Sequence, residues 1–234
     1  MPGTLNITAY ITINLLLFFS WYLFFFRQKD LLSFPDRMTG AFIFGLAQII
    51  ITEMLLGIVF GKLYAVPLFL LNCVISSAVF LYAVRAPLLQ SGASERNLAL
   101  PLSATVRKEL AEKADWFFAE LKNDMLLLCL FVLFSLSLGW IIFLGYLFPS
   151  YTWDALWYHL PIAGYIMQSG GIKEVPNYSF IDQFINIFPK NIELFFLWNI
   201  VFLRSDVVTD LSQFLFTLAG VFTIYSAAVK LKIS

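Results

Sequence analysis

Residues 125–148, MLLLCLFVLFSLSLGWIIFLGYLF, carry no charged side chain. About 20 apolar residues suffice for a helix to cross the ~30 Å hydrocarbon core of a bilayer, so this run alone places the chain in a membrane. Comparable runs recur at roughly 8–26, 40–60, 65–84, 185–203 and 207–229, and with 124–148 they make six. The fifth is the weakest, because it holds Pro189, Lys190 and Glu193. The expected fold is all-α: a polytopic membrane protein of about six transmembrane helices.

Composition agrees. Hydrophobic residues make up 60% of the chain and charged residues 13%, a ratio that only a bilayer solvent explains. Fifteen basic residues balance fifteen acidic ones, so no basic field attracts nucleic acid, and the partners to expect are lipids and membrane-bound substrates. Cys73 and Cys129 fall in separate apolar runs and read as small packing residues. The first run has neither a basic n-region nor a small-residue cleavage site before Phe26, which predicts a retained helix and not a signal peptide.

Basic residues set the orientation. The 27–39 link carries Arg27, Lys29 and Arg37, and the 85–123 link carries Arg85, Arg96, Arg107, Lys108, Lys113 and Lys122. With both links cytoplasmic, Arg204 joins them, and Lys62, Lys173, Lys190, Lys230 and Lys232 are left outside. Ten of the fifteen positives then lie inside, with the N-terminus and the 149–184 segment outside.

Two segments between the spans predict interfacial helices. At about 103–123, Ser103 is a candidate cap for a helix with Val106, Leu110, Ala114, Phe117 and Leu121 on one stripe; Lys108 with Glu112 and Glu109 with Lys113 pair on the other. At about 153–168, Thr152 is a candidate N-cap that puts Asp154 in a first turn favoured by the helix dipole. Asp154, Tyr158 and Tyr165 then share a face, while Trp153, Trp157, Leu160, Gly164 and Met167 fall on another. At 3.6 residues per turn His159, the chain's single histidine, points away from Asp154, and a His-rich metal site is excluded. Tyr151, Trp153 and Trp157 fit an aromatic belt at headgroup level.

The words DALWYHLPIAGYIMQSGG, VPN and FPKNIELFFLW, in that order, resemble the first external loop and following span of the GT-C glycosyltransferases. That superfamily includes protein mannosyltransferases and bacterial aminoarabinose transferases. The resemblance covers about residues 148–204. It implies a polyprenyl-phosphate sugar donor, an acceptor at the extracytoplasmic face of a bacterial inner membrane, and an acidic catalytic residue early in the loop, which Asp154 matches. Tyr158, His159, Lys190 and Glu193 are the substrate-binding residues it implies, with Lys190 as a point charge for the donor phosphate. Lys190 and Glu193 fit equally as snorkelling interfacial anchors. No metal site can be built from these residues alone, and a divalent cation stays open.

Family members usually have more spans, and their acidic loop commonly follows the first one. The resemblance therefore implies an N-terminal portion, with residues 1–123 as an added three-span module ahead of 124–234 in one membrane domain. Elsewhere, Asp206 and Asp210 read as helix caps. Glu53, inside the second span, is a functional hypothesis by default, unless it reaches the outer interface or takes up a proton. A transporter or binding module that uses Glu53, with Gly57 and Gly61 lining a path, is the competing reading. A non-catalytic membrane subunit is the third.

Overall fold

The computed structural model describes residues 4–91, 95–148, 155–176, 186, 190–205, 209 and 212–231. They form helices joined by short links: α1 (Thr4–Phe26), α2 (Phe34–Met54), α3 (Ala65–Ser91), α4 (Glu95–Asn123), α5 (Met125–Leu147), α6 (Leu160–Ser169), α7 (Asn191–Leu203) and α8 (Ser212–Lys230). α2 continues as a π-helical turn over Leu55–Phe60, and a second π turn, Ala155–His159, leads into α6. The protein is an all-α polytopic membrane protein. α1, α2 with its π extension, α3 and α5 are long and apolar enough to cross a bilayer, and the last two apolar runs form the shorter helices α7 and α8.

Local chemistry explains the boundaries. Ser33 caps α2 in a reciprocal capping box with Asp36, and Pro35 occupies the first turn, where its missing N–H is no loss. Asp124 separates α4 from α5: its backbone is extended, and its carboxylate accepts from the N–H groups of Leu126 and Leu127 at 2.9 and 3.0 Å. α4 starts at Glu95, eight residues before the expected cap, so Ser103 lies inside the helix instead of capping it. Lys108 does approach Glu112, at 3.8 Å. Glu109 turns instead to Arg37.

α1 and α2 run antiparallel, with Phe18 against Phe42 at 4.8 Å. Within the bilayer α1, α2 and α3 share a polar network: Trp21 Nε1 donates to Gln48 Oε1 (2.9 Å), while Gln48 Nε2 donates to Asn72 Oδ1 (3.0 Å) and Ser76 Oγ (3.1 Å). Asn72 Nδ2 in turn donates to Thr52 Oγ1 at 2.9 Å. At the end of α2 nearest the 27–33 link, Arg37 pairs with Glu109 of α4, which also accepts from the Tyr22 hydroxyl at 3.1 Å. Val106 and Leu121 are buried as expected, but Leu110 and Ala114 of the same stripe are exposed.

α8 runs antiparallel to α2. Phe222 stacks on Phe42, and at the far end Ser226 and Lys230 bond the carboxylate of Asp36, the lysine at 2.7 Å. Lys230 therefore belongs to the same face as the 27–33 link, contrary to the expected external position. α7 ends against the first third of α1, with Phe202 and Asn199 on Tyr10 and Trp198 Nε1 donating to Asn14 Oδ1. Arg204, which follows it, accordingly lies toward the end of α1 away from that link. At about 20 Å, α7 is shorter than the hydrocarbon core.

The main core joins Ile13 and Leu17 of α1, Leu46, Ile49 and Leu56 of the second span, Leu63 and Leu68 around the α2–α3 link, Ile162 and Ile166 of α6, and the buried face of α7 from Leu194 to Phe202. Packing thus crosses the division at residue 123. α5 stands apart: it touches chiefly α4, and nearly all of its side chains are exposed, Cys129 among them. Cys129 is not a core packing residue. Cys73 packs half-buried against the main core.

Candidate functional site

The π turn at Ala155–His159 follows i→i+5 spacing, so the angular argument that faces His159 away from position 154 does not hold across it. Asp154 itself lies outside the described residues, as do Tyr151, Thr152, Trp153, Asp206 and Asp210. The turn delivers His159 to the N-terminus of α6, where Pro161 sits in the first turn. The imidazole makes no capping bond to its own helix. Its Nδ1 lies 2.8 Å from Oε1 of Glu193, in the first turn of α7.

This contact joins residues 34 positions apart and was not anticipated from sequence, where the two are separate candidates. Glu193 is 1% exposed and His159 21%, so the carboxylate is enclosed and the imidazole reaches the surface. Against an ionised carboxylate, which can only accept, the imidazole donates through Nδ1–H and Nε2 is left for another partner; the donor and acceptor roles follow the tautomer. The other carboxylate oxygen, Oε2, is buried without a hydrogen-bond partner among the described residues. The Tyr158 ring lies 4.0 Å from the imidazole centroid and Phe196 meets it edge-on at 5.7 Å, so the pair has aromatic walls.

Lys190 is the N-cap residue of α7, makes no side-chain capping bond and is partly exposed. It is one turn before Glu193. Tyr158 is half-buried against the main core, and Tyr165, about two turns on, is half-buried as well. The buried side of α6 is Ile162, Ala163 and Ile166, while Met167 is exposed. α6 is thus packed on α7.

Glu53 is fully buried, and among the described residues neither of its oxygens has a hydrogen-bond partner. Of Gly57 and Gly61, the path-lining candidates of the competing reading, Gly57 packs on Ile172 and Gly61 ends the π turn in a left-handed conformation, φ 57°.

A carboxylate that orients a partly exposed imidazole is an acid–base arrangement: the buried anion fixes the tautomer, and Nε2 accepts or delivers a proton. The missed signal was present in the sequence. An acid inside an apolar segment requires a partner, and the chain offers a single imidazole. Comparison of the chain with protein-family profiles, curated proteins and solved structures finds no match.

Proposed function

We propose that this chain is an integral-membrane glycosyltransferase, or the N-terminal part of one, that moves a sugar from a polyprenyl-phosphate donor to an acceptor at the extracytoplasmic face. The observation that carries this reading is the His159–Glu193 contact. It joins His159 of the WYHLP word to Glu193, far apart in the chain, one helical turn from Lys190.

In the transfer, an acceptor hydroxyl attacks the anomeric carbon, its proton passes to a base, and the bond to the donor phosphate breaks with the electron pair leaving on the phosphate. Asp154 is the base or a carboxylate that orients a metal. His159, held by Glu193, hydrogen-bonds the substrate through Nε2, with Tyr158 beside it. Lys190 supplies positive charge to the leaving phosphate.

A second reading rests on Glu53. A fully enclosed carboxylate without a partner is costly in a membrane helix, as a transport or binding site would require.

The test is sugar transfer from a panel of polyprenyl-phosphate sugars in membranes carrying the wild-type chain, Asp154→Asn, His159→Ala or Glu53→Gln at equal expression. Losses on the order of a hundredfold are expected for Asp154→Asn and His159→Ala, with Glu53→Gln near wild type. Activity that survives both loop variants but not Glu53→Gln would transfer the assignment to the second reading.

A further inference from the structure

The segment that follows α6 is fastened to the far end of α2 by main-chain contacts. Leu63 N–H donates to Gly170 O at 2.9 Å, and Ile172 N–H donates to Gly57 O at 3.1 Å. The π turn over Leu55–Phe60 makes the second bond possible: both Gly61 N–H and Lys62 N–H go to Leu56 O, and the neighbouring Gly57 carbonyl is left for a donor from outside the helix. An uninterrupted α-helix would have spent that carbonyl on its own ladder.

Three glycines permit the approach. A Cβ on Gly171 would stand 2.9 Å from Gly57 O, a backbone atom that cannot swing aside, and one on Gly170 would stand 2.4 Å from the Tyr64 hydroxyl at a φ of 65°. A Cβ on Gly57 would stand 2.7 Å from Cγ1 of Ile172, a side chain that can partly yield. Gly164, in α6 itself, has open space in the same direction.

We infer that Gly57, Gly170 and Gly171 are positioning residues: through this clasp the three N-terminal helices fix the axial rotation of α6, and so the direction in which His159 meets Glu193. α6 is a single rigid lever of about 15 Å, clasped at its C-terminal end and carrying His159 at its N-terminal end. Ile162 and Ile166, between the two ends, pack into the same core as Leu56 and Leu63. A slip at the clasp is therefore transmitted to the imidazole, and misplacement by about 1 Å can cost a reaction on the order of a hundredfold. The inference rests on the reading of His159–Glu193 as the working site.

Because His159 is the chain's single histidine, its carbethoxylation by diethyl pyrocarbonate reports on this one imidazole with no need for substrate. The rate is measured on the full chain in detergent for wild type, Gly171→Ala, Gly57→Ala, Gly164→Ala and Glu193→Gln, with thermal unfolding of each as a folding control. Gly171→Ala is expected to shift the rate about threefold or more in the direction that Glu193→Gln shifts it. Gly57→Ala should give a smaller change of the same sign, and Gly164→Ala none. Folded Gly171→Ala and Gly57→Ala proteins with the wild-type rate would overturn the inference. Should Gly171→Ala fail to fold, Gly57→Ala decides alone. Failure of the glycosyltransferase reading shows separately, as transfer that is indifferent to His159→Ala while the carbethoxylation rates keep this order.

Discussion

Removing Glu109 from the α4 surface helix should cost more than removing its partner. Arg37 is 3% exposed and Glu109 23%. In Glu109→Ala the guanidinium loses its carboxylate in an enclosed site where its Nε has no partner among the described residues; the Phe26 ring, 5.2 Å from Cζ, and the Tyr22 hydroxyl remain beside it. Breaking a buried pair from one side costs about 3–5 kcal/mol, and the near-complete enclosure of Arg37 puts this variant in that range. Arg37→Met leaves a carboxylate that keeps the Tyr22 hydroxyl at 3.1 Å and some solvent contact, so its cost falls to about 1–2 kcal/mol. The double variant Arg37→Met, Glu109→Ala should lie nearer to Arg37→Met than to Glu109→Ala, which corresponds to a coupling of about 3 kcal/mol. Equilibrium unfolding of the four proteins by dodecyl sulfate in maltoside micelles measures the cycle, and tryptic cleavage at Arg107 and Lys108 reports the release of α4. Equal losses in the two single variants, with a double variant at their sum, would refute the argument that this pair docks α4 on α2.

Two further expectations concern the bilayer interior. Gln48→Leu removes the bridge between Trp21, Asn72 and Ser76 and should destabilise the bundle by about 1–2 kcal/mol, the scale of interhelical hydrogen bonds in membranes; dodecyl sulfate unfolding checks it, and a neutral result would mean that the three partners find one another without Gln48. Glu53→Leu exchanges an unpartnered buried carboxyl for an apolar side chain of similar size and should raise stability by about 1 kcal/mol or more. A loss of stability in the same assay would show that Glu53 has a structural partner.

How much of this was legible in the sequence follows from the range of each interaction. The apolar runs, the Ser33-Asp36 capping box and the amphipathic pattern of α4 depend on residues a few positions apart, and such patterns can be read along a chain. The direction of α8 is set by Asp36 meeting Ser226 and Lys230, and charge counting alone assigned Lys230 to the wrong face. The same holds at the candidate site. Tyr158, His159, Lys190 and Glu193 could each be picked out as polar residues in an aromatic and apolar setting, but the bond between His159 and Glu193 requires α6 and α7 to be packed first. The two π turns add a second difficulty, because periodicity arguments at 3.6 residues per turn fail where the helix changes pitch. Gly57 drew notice only by its place near the end of the second span, and the use of its freed carbonyl as the acceptor that holds Ile172 could not be read there.

The isolation of α5 has a mechanical consequence. Among the described residues this helix is linked through Asp124 to α4, packs chiefly on it and leaves nearly all of its side chains exposed. A bilayer that thickens or thins changes the preferred tilt of an unbraced span at small energetic cost, while braced neighbours resist. α5 is therefore the part of the molecule most compliant to membrane thickness, and the extended residue at its foot is the joint about which that strain is taken up. The load it passes on arrives first at α4, and from there at the Arg37–Glu109 contact that ties α4 to the rest of the molecule.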